Sequence, residues 1–383
     1  MGRPPHIVDI DFLNFRSILV FICILQGLIF AGLLSIRGLR QRSRADLWLA
    51  VLIVLLCSSL ITPLIGFANV YDNNQWLTYF PFSIAYSYGL CVWFYTVNLT
   101  DSRHRMTRRD LLLFVPTIVY LMYRLFLFSH SVEWKSWFDD NYGDAFGAAI
   151  FVTEAVWNLT FLYLAIRHYR KYRVWLDANF SDTEKIKFDW LRNFLYLFTA
   201  VIVLGALFDF ANSFIVRLSY IQYFYFEIVL ALGTYYLAVA GYLRSRTIEL
   251  TFGDKPDAAD ESRRQLLSDT EMDRLRSRLL TVMSDERPYL DPSLTLTDLT
   301  RAVGVNSTVL SHLINKGFEK NFNDFINEYR INEVKSRLRA TDDETMLAIA
   351  FESGFNSKAT FNRAFKKFTG RTPKEYQEDL TSA

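Results

Sequence analysis

Seven segments of this chain are long enough and apolar enough to cross a lipid bilayer. They are residues 18–36, 47–68, 77–99, 111–130, 146–166, 191–211 and 221–243. A helix of about 20 residues covers the ~30 Å hydrocarbon core of a bilayer. The composition agrees, since 51% of the residues are hydrophobic and 16% are aromatic, which is high for a soluble protein. The sequence therefore predicts a bundle of seven membrane-spanning helices within residues 1–246.

Basic residues are distributed unevenly among the segments that connect these spans. Loops 37–46, 100–110 and 167–190, together with Arg244 and Arg246, hold sixteen Lys and Arg residues, whereas the other connections hold only Arg3, Arg16, Lys135 and Arg217. Positively charged loops stay on the cytoplasmic side of a membrane. We therefore expect a bacterial cytoplasmic-membrane protein with its N-terminus outside and its C-terminal third in the cytoplasm.

Several polar side chains interrupt the predicted spans. Ionisable groups within a membrane are costly and often mark functional positions. One hypothesis is a polar ligand pocket or a coupling network, in which Arg124 pairs with a carboxylate. The alternative is a purely structural role, through hydrogen bonds between helices or side chains that extend to the membrane surface. The candidate intramembrane polar site consists of Arg124, Glu154, Asn158, Asp209 and Glu227.

The sequence contains no recognisable catalytic or metal-binding pattern. The three cysteines, Cys23, Cys57 and Cys91, are isolated in apolar segments, as expected for buried free thiols rather than a disulfide or zinc site. Zinc-protease and nucleophile-elbow motifs are absent. We therefore predict no enzyme activity, no metal and no cofactor.

A polar segment with one amphipathic stretch, residues 247–286, separates the apolar part from the rest. Its first half has the mixed charges, glycine and proline of a flexible tether. Met272, Leu275, Leu279, Val282 and Met283 then recur at helical spacing. This stripe predicts either a self-association helix or the first helix of the following domain, and its length, under two heptads, favours the second interpretation.

Residues 346–376 have the pattern of two short helices around a glycine turn. Leu347, Ile349 and Phe351 give the first helix an apolar face, and Gly354 interrupts it. Glycine tolerates the positive φ that such a turn needs, and Asn356 is the expected N-cap of the second helix. The pattern predicts a helix-turn-helix, a motif that binds nucleic acid.

A similar pattern begins fifty residues earlier. Thr297 is the expected N-cap of its first helix, Gly304 ends that helix and Asn306 caps the next. The fifty-residue offset pairs Thr295 with Thr345 and Gly304 with Gly354, which indicates two copies of one unit. The outward face of the first recognition helix, predicted to meet base edges, consists of Ser307, Thr308, Ser311, His312 and Asn315.

An amphipathic segment at residues 322–340 connects the two copies. A helix of about 20 residues spans about 30 Å, close to the ~34 Å between successive major-groove faces on one side of DNA. Residues 287–383 are almost neutral, with 14 Lys/Arg and 13 Asp/Glu. Basic residues nevertheless cluster in the second copy, where phosphate contacts would position the domain. Its predicted DNA-binding residues are Asn356, Ser357, Lys358, Thr360, Arg363, Lys366, Lys367 and Arg371.

The segments IAFESGF, FNRAFKKFTGRTPKEY and LSHLINKGFEKNFNDFINEYRI resemble the DNA-binding domain of AraC/XylS-type transcriptional regulators over residues 289–378. The resemblance implies two helix-turn-helix units joined by a long helix, with recognition helices near 307–315 and 357–367. Many members have polar or His residues where this chain has Lys358, Ala359 and Thr360. We therefore expect the second recognition helix to contact phosphate more than bases. Seven spans stand in place of the family's usual soluble effector domain, as in its membrane-anchored minority.

The sequence thus predicts an all-α protein with a seven-helix membrane domain (1–246), a linker with a short helix (247–286) and a double helix-turn-helix domain (287–383). The expected function is transcriptional regulation, in which an external or membrane signal changes promoter binding through the tether. Double-stranded DNA and the bilayer are the expected partners; RNA polymerase, an unidentified signal ligand and a second copy of the chain are candidates. The alternatives are proteolytic release of the DNA-binding part, a transporter or channel with a regulatory tail, and a membrane enzyme.

Overall fold

The structure, a computed structural model, describes residues 15–68, 70–101, 103–183, 188–216, 220–244, 269–339 and 344–382. Across these ranges the chain is helical, apart from turns and one isolated antiparallel bridge between Phe180 and Thr295. The predicted tether at 247–268 lies outside the described residues, as do Arg3, Lys185, Lys187, Arg217 and Arg246. The chain divides into two compact units: residues 1–169 with 189–251, and residues 170–188 with 252–383.

Eleven helices account for the described part of the apolar region. They are α1 (Phe15–Arg40), α2 (Arg44–Ser59), α3 (Ile61–Phe67), α4 (Val70–Asn73), α5 (Tyr88–Thr100), α6 (Arg108–Leu111), α7 (Val115–Phe128), α8 (Val132–Phe138), α9 (Asp144–Asn179), α10 (Asp189–Phe214) and α11 (Tyr220–Arg244). Short 3-10 turns at Gln75–Leu77 and Leu112–Phe114 and a π turn at Asp139–Gly143 link some of them.

Within the described ranges, six helical stretches are long and apolar enough to cross a membrane: Phe15–Arg40, Arg44–Phe67, Arg108–Phe128, Val132–Asn179, Asp189–Asn212 and Phe224–Leu243. Each overlaps a predicted span. The full-length helix predicted at 77–99 is wrong, because only α5 is helical there, and 13 residues rise only about 20 Å. The preceding stretch includes Pro81, and both Tyr79 and Tyr86 have positive φ, which is incompatible with a helix.

The segment that contains α5 is nevertheless held by hydrogen bonds at both of its ends. At one end, the buried Lys135 donates from Nζ to the carbonyl of Trp76 at 3.0 Å. At the other end, Arg44 donates to the carbonyl of His104 at 2.5 Å. Nearly all of α5 is buried, so protein rather than lipid surrounds it. Non-helical backbone is tolerated at membrane depth where it is buried in protein.

A partly buried ion pair joins three apolar helices of the first unit. Arg37, in the last turn of α1, donates to both oxygens of Asp46 at 2.7 and 2.8 Å and to the carbonyl of Tyr242 in α11 at 2.6 Å. Asp46 lies in the first turn of α2 and is 1% exposed. Such bidentate contacts are the strongest Arg–carboxylate pairs. Arg37 therefore links the ends of α1, α2 and α11.

Seven helices form the described part of the C-terminal region. They are α12 (Asp269–Asp285), α13 (Leu296–Val303), α14 (Ser307–Gly317), α15 (Phe322–Leu338), α16 (Met346–Glu352), α17 (Lys358–Thr369) and α18 (Pro373–Ser382), with a 3-10 turn at Pro288–Leu290. The connecting helix α15 has 17 residues, which corresponds to about 25 Å rather than the predicted 30 Å.

Two separate hydrophobic clusters stabilise this region. The first joins α12, α13 and α14 to the N-terminal half of α15. The second joins the C-terminal half of α15 to α16 and α17. Leu279, Val282 and Met283 of α12 are buried in the first cluster. The amphipathic stripe therefore packs on the domain that follows it, and the self-association interpretation is not supported.

Candidate nucleic-acid interface

The first helix-turn-helix consists of α13 and α14. Thr295, rather than the predicted Thr297, is the N-cap of α13: its side chain accepts from the backbone N–H of Asp298, whose carboxylate accepts from Thr295 in return. This capping box satisfies two free N–H groups at the helix start. Gly304 ends α13 with φ +71°, and Asn306 caps α14 through a 2.7 Å bond from Val309 N–H, as predicted.

The first recognition helix, α14, presents part of its predicted outward face to solvent. Ser307 and Asn315 are exposed, and Ser311 and His312 are half-buried. Asn315 donates to the Ser311 hydroxyl at 3.3 Å. Thr308 is only 6% exposed, so the expectation that it faces outward is wrong: it lies beside Val309 and Leu310 on the side of the helix that meets the core.

The second helix-turn-helix, α16 and α17, repeats this geometry with one change at the cap. Thr345 caps α16, and Gly354 has φ +94°. The N-cap of α17 is Ser357, which accepts from Thr360 N–H at 3.1 Å, so the prediction of Asn356 is wrong by one residue. Asn356 is exposed just before the helix.

The second recognition helix, α17, carries a basic surface. Lys358, Arg363, Lys366 and Lys367 are exposed along it, and Arg371 is exposed just after it. Lys367 also forms an ion pair with Asp324 of α15 at 2.6 Å. Thr360 is only 8% exposed and donates its hydroxyl to Asp182 at 3.2 Å, so it lies off the solvent-facing surface. These positions fit phosphate contacts, which orient a protein on DNA.

A polar seam lies between the two hydrophobic clusters. Arg330 of α15 is fully buried and donates to the carbonyls of Tyr289 and Asp291 at 2.8 and 2.7 Å. Its guanidinium also lies 5.8 Å from the ring centre of Phe355. Burial lowers the pKa of Arg330 to about 10, so it remains charged at neutral pH. Sequence periodicity did not identify Arg330, because a charged residue on a helix is normally exposed.

The turn of the second copy packs closely against this seam. A Cβ atom added to Gly354 would stand 2.2 Å from the Tyr289 carbonyl oxygen and 2.9 Å from Arg330 Nε. The positive φ of Gly354 already disfavours any side chain. Glycine is therefore needed here both for conformation and for close approach to another part of the backbone.

Within the first unit, four of the five predicted intramembrane residues line one cavity. Glu154, Asn158, Asp209 and Glu227 surround about 320 Å³, together with hydroxyl groups such as that of Tyr88. Asn158 has a structural contact as well: its Oδ1 accepts from Gly89 N–H at 2.8 Å, and its Nδ2 donates to Glu154 at 3.4 Å.

Arg124 is not among the residues that line this cavity. Its guanidinium lies 5.0 Å from the ring centre of Tyr79. The hypothesis that Arg124 pairs with one of the cavity carboxylates is therefore not supported by the described contacts. An Arg over an aromatic ring is a stabilising cation–π arrangement, which agrees with the structural alternative for this residue.

A family model matches the C-terminal region of the chain. Residues 299–379 match a family model described as a helix-turn-helix domain. An uncharacterized HTH-type transcriptional regulator of Staphylococcus aureus (strain COL) is 41% identical over 91 residues, which cover 24% of this chain and 12% of that protein. The melibiose operon regulatory protein of Escherichia coli (strain K12) is 30% identical over 88 residues, 23% of this chain and 29% of that protein.

One solved structure is also similar, that of a protein of unknown function from Listeria innocua. It is 30% identical, with a TM-score of 0.24, and the match covers 27% of this chain and 93% of that one. The chain spans about an eighth of the length of the first staphylococcal relatives. The family model and the curated relatives confirm the resemblance predicted from the sequence for the C-terminal region.

Proposed function

We propose that this chain, whose residues 299–379 form an AraC-type helix-turn-helix domain, is a membrane-embedded transcriptional regulator that binds promoter DNA directly. The observation that carries the proposal is one chain with two capped recognition helices, α14 and α17, and six helices apolar enough to cross a bilayer. A DNA-binding domain attached to the membrane gives a signal at the membrane direct access to a promoter. No diffusing messenger is then required.

The proposed topology places the second unit in the cytoplasm. This topology is supported by the uneven distribution of basic residues among the loops. The hydrogen bond from Arg44 to the His104 carbonyl also brings two of the basic loops, 37–46 and 100–110, together at one end of the first unit. Protease treatment of oriented membrane vesicles tests this arrangement. We expect cleavage of the second unit in inside-out vesicles and protection in right-side-out vesicles, and the reverse pattern would refute the topology.

DNA binding is tested with the full-length chain in lipid nanodiscs. A pool of random DNA duplexes yields the preferred sequence, and fluorescence anisotropy gives the affinity. We expect Arg363→Ala to weaken binding. It should also reduce the salt slope, the slope of log affinity against log salt concentration, by about one unit in magnitude, because each phosphate contact releases about one counterion. Arg108→Ala, an exposed arginine in the first unit, is the matched control. A folded chain that selects no sequence at low salt would contradict the proposal.

The cavity lined by Glu154, Asp209 and Glu227 is our candidate for the signal-receiving site. Three carboxylates around one space in a low-dielectric region favour a positively charged occupant. We expect Glu154→Gln with Glu227→Gln to abolish the response of a promoter reporter while the protein still binds DNA. Unchanged reporter induction would assign these residues a structural role.

The same cavity is the observation that favours the alternative of a transporter or channel with a regulatory tail. Intramembrane carboxylates mark ion or substrate pathways in many transporters. Neutral substitution of Glu154, Asp209 and Glu227 separates the two functions. A loss of flux across proteoliposomes with intact transcriptional response would favour transport, whereas a lost response without any measurable flux supports regulation.

A further inference from the structure

A short segment between two apolar helices belongs to the DNA-binding unit. Residues 170–188, the end of α9 and the loop that leads to α10, group with residues 252–383 rather than with the apolar helices. Residues 177–183, which we call the docking loop, make specific contacts there. Ser181 and Thr183 are buried, at 1% and 2% exposure, whereas the other residues of the loop are half-buried.

The docking loop is hydrogen-bonded to the start of the first helix-turn-helix. Ser181 donates to the carbonyl of Leu294 both from its backbone N–H, at 3.3 Å, and from its hydroxyl, at 2.7 Å. Phe180 forms the isolated bridge with Thr295, the residue that caps α13. The loop therefore fixes the segment from which the first copy begins.

The loop is also hydrogen-bonded to the connecting helix α15. Asn323 donates from Nδ2 to the carbonyls of Phe180 and Ser181, at 3.1 and 2.8 Å. Arg330 donates from Nη2 to the Ser181 hydroxyl at 3.1 Å. A buried guanidinium needs acceptors for its donors, because leaving a buried polar group unpaired costs about 1–3 kcal/mol.

The third contact of the loop is with the second recognition helix. Asp182 accepts a hydrogen bond from the hydroxyl of Thr360, in the first turn of α17. Beside this contact, Asp177 and Thr183 share a polar cavity of about 200 Å³ with Arg363 and Lys367. A seven-residue segment thus contacts both helix-turn-helix copies and the helix between them.

We propose that the docking loop holds the two helix-turn-helix copies in one relative arrangement, and that displacement of this loop is how α9 and α10 act on DNA binding. The proposal rests on the regulatory function proposed above and names its coupling element. The two copies have separate hydrophobic clusters on the two halves of α15, so the polar contacts in the seam act together with α15 to hold the angle between their recognition helices. Water can replace such contacts when the loop moves, whereas a shared apolar core would resist separation.

This route differs from the tether expected from the sequence. The sequence predicts that tether to be a flexible linker, and a linker of that kind transmits little orientation. The docking loop begins in the last turn of α9, and the residues of this helix belong to the first unit up to Tyr169 and to the second from Arg170. Both ends of the loop's segment therefore lead into apolar helices, and a change in either of them acts on the loop.

Distance measurement between the recognition helices tests the proposal without DNA. Spin labels at Lys316→Cys and Asn362→Cys, both exposed positions, report the separation of α14 and α17 in the full-length chain by pulsed electron paramagnetic resonance. We expect a single narrow distance distribution in the parent. The double variant Ser181→Ala with Asp182→Asn should shift or broaden this distribution. Asn323→Ala should do the same, because it removes the hydrogen bonds that α15 donates to the carbonyls of the docking loop.

Two substitutions serve as matched controls. Ser284→Ala changes an exposed serine of α12 whose hydroxyl bonds only within that helix region, and Asp140→Asn removes the same charge from an exposed position of the first unit. Both should leave the distance distribution unchanged. Hydrogen exchange of α13 to α15 verifies folding, and Asp182→Asn alone, at a half-buried position, supplies a milder variant.

DNA affinity separates failure of this inference from failure of the proposed function. We expect the loop variants to bind the duplex selected by the parent chain about tenfold more weakly, which the loss of two hydrogen bonds allows. For a duplex that retains only the bases contacted by one helix-turn-helix copy, their affinity should differ little from that of the parent. A distance distribution unchanged in all loop variants would overturn the inference while parent DNA binding still supports the function. Tighter binding by the variants would also overturn it, because the loop would then act as an inhibitor.

Discussion

The two helix-turn-helix copies share a fold but differ in what surrounds each turn. Gly304 and Gly354 both have positive φ, yet a Cβ atom on Gly304 would meet the end of the Arg278 side chain at 2.8 Å, whereas one on Gly354 would meet a backbone carbonyl at 2.2 Å. The first turn thus faces a side chain that can move, and the second faces fixed backbone. The copies share the local requirement for glycine but not its packing role.

Alanine at these two glycines should produce the largest difference between the copies. Positive φ costs an alanine about 1–2 kcal/mol, which we expect for Gly304→Ala. Gly354→Ala adds a backbone clash, for a total destabilisation of about 2–4 kcal/mol. Hydrogen exchange of α16 and α17 in the full-length chain measures this local stability. Equal loss of hydrogen-exchange protection in the two variants would mean that the backbone of the polar seam moves to accommodate the added methyl group at little cost in free energy.

The recognition helices should differ in the kind of DNA contact that each makes. Asn315 is an exposed amide on α14, and amides discriminate adenine through paired hydrogen bonds worth about 1–3 kcal/mol. We expect Asn315→Ala to relax sequence preference at one position of the selected duplex. A full set of single-base variants of that duplex measures the effect. A uniform decrease for all sequences would instead indicate a phosphate contact.

On α17 the expected change is smaller and independent of sequence. Lys366→Ala removes an exposed cation, so affinity should fall by a similar factor for every duplex, and the salt slope should decrease by about one unit. Titrations at several salt concentrations give the slope. A change in sequence preference would show that the second copy also contacts bases, contrary to the division of roles proposed here.

The smallest expected difference concerns the caps of the first helices. Asp298 completes a capping box in the first copy, and the hydrogen bond from the Thr295 hydroxyl lowers the pKa of this carboxyl. Its stabilising contribution is therefore present above the unfolded pKa, about 3.9, and is lost as the pH falls through the lower folded value. The equivalent residue of the second copy is Ala348, which does not titrate.

Acid should accordingly weaken α13 before it affects the start of α16. Asp298→Asn should remove the pH dependence of exchange in α13. The reciprocal variant Ala348→Asp should stabilise α16 by about 0.3–1 kcal/mol, since an acid in the first turn interacts favourably with the helix dipole. Exchange rates between pH 3 and pH 6 compare the two. Identical acid sensitivity of both helices in the parent would contradict the assignment.

Local sequence patterns predicted much of the second unit. The apolar spacing identified most residues of both clusters, and the fifty-residue offset predicted the two glycine turns, because these features depend on neighbours along the chain. The spacing missed Tyr289, Leu294, Leu296 and Phe355, and Phe351, expected on the apolar face of α16, is 45% exposed. The caps shifted by one or two residues, to Thr295 and Ser357, since several adjacent polar side chains can cap equally well. Periodicity could not distinguish Thr308, which stands at the edge of the buried face.

Long-range features were not predictable in the same way. Hydropathy treats residues 77–99 as one apolar run, and it does not distinguish a span facing lipid from α5, which is buried in protein. The burial of Arg330 depends on carbonyls supplied by residues 289 and 291 and on Ser181. No local pattern relates a loop between apolar helices to residues more than one hundred positions later.

That separation along the chain has a consequence for biosynthesis. Ser181 precedes its partner Leu294 by 113 residues, so a ribosome adding about 5–20 residues per second makes the partner roughly 6–23 s after the loop. In the proposed topology the loop's neighbours α9 and α10 enter the bilayer in the meantime, and the DNA-binding unit is completed only afterwards. A fragment cut free after residue 252 would lack the loop, so release by a protease would separate the domain from part of its own structure.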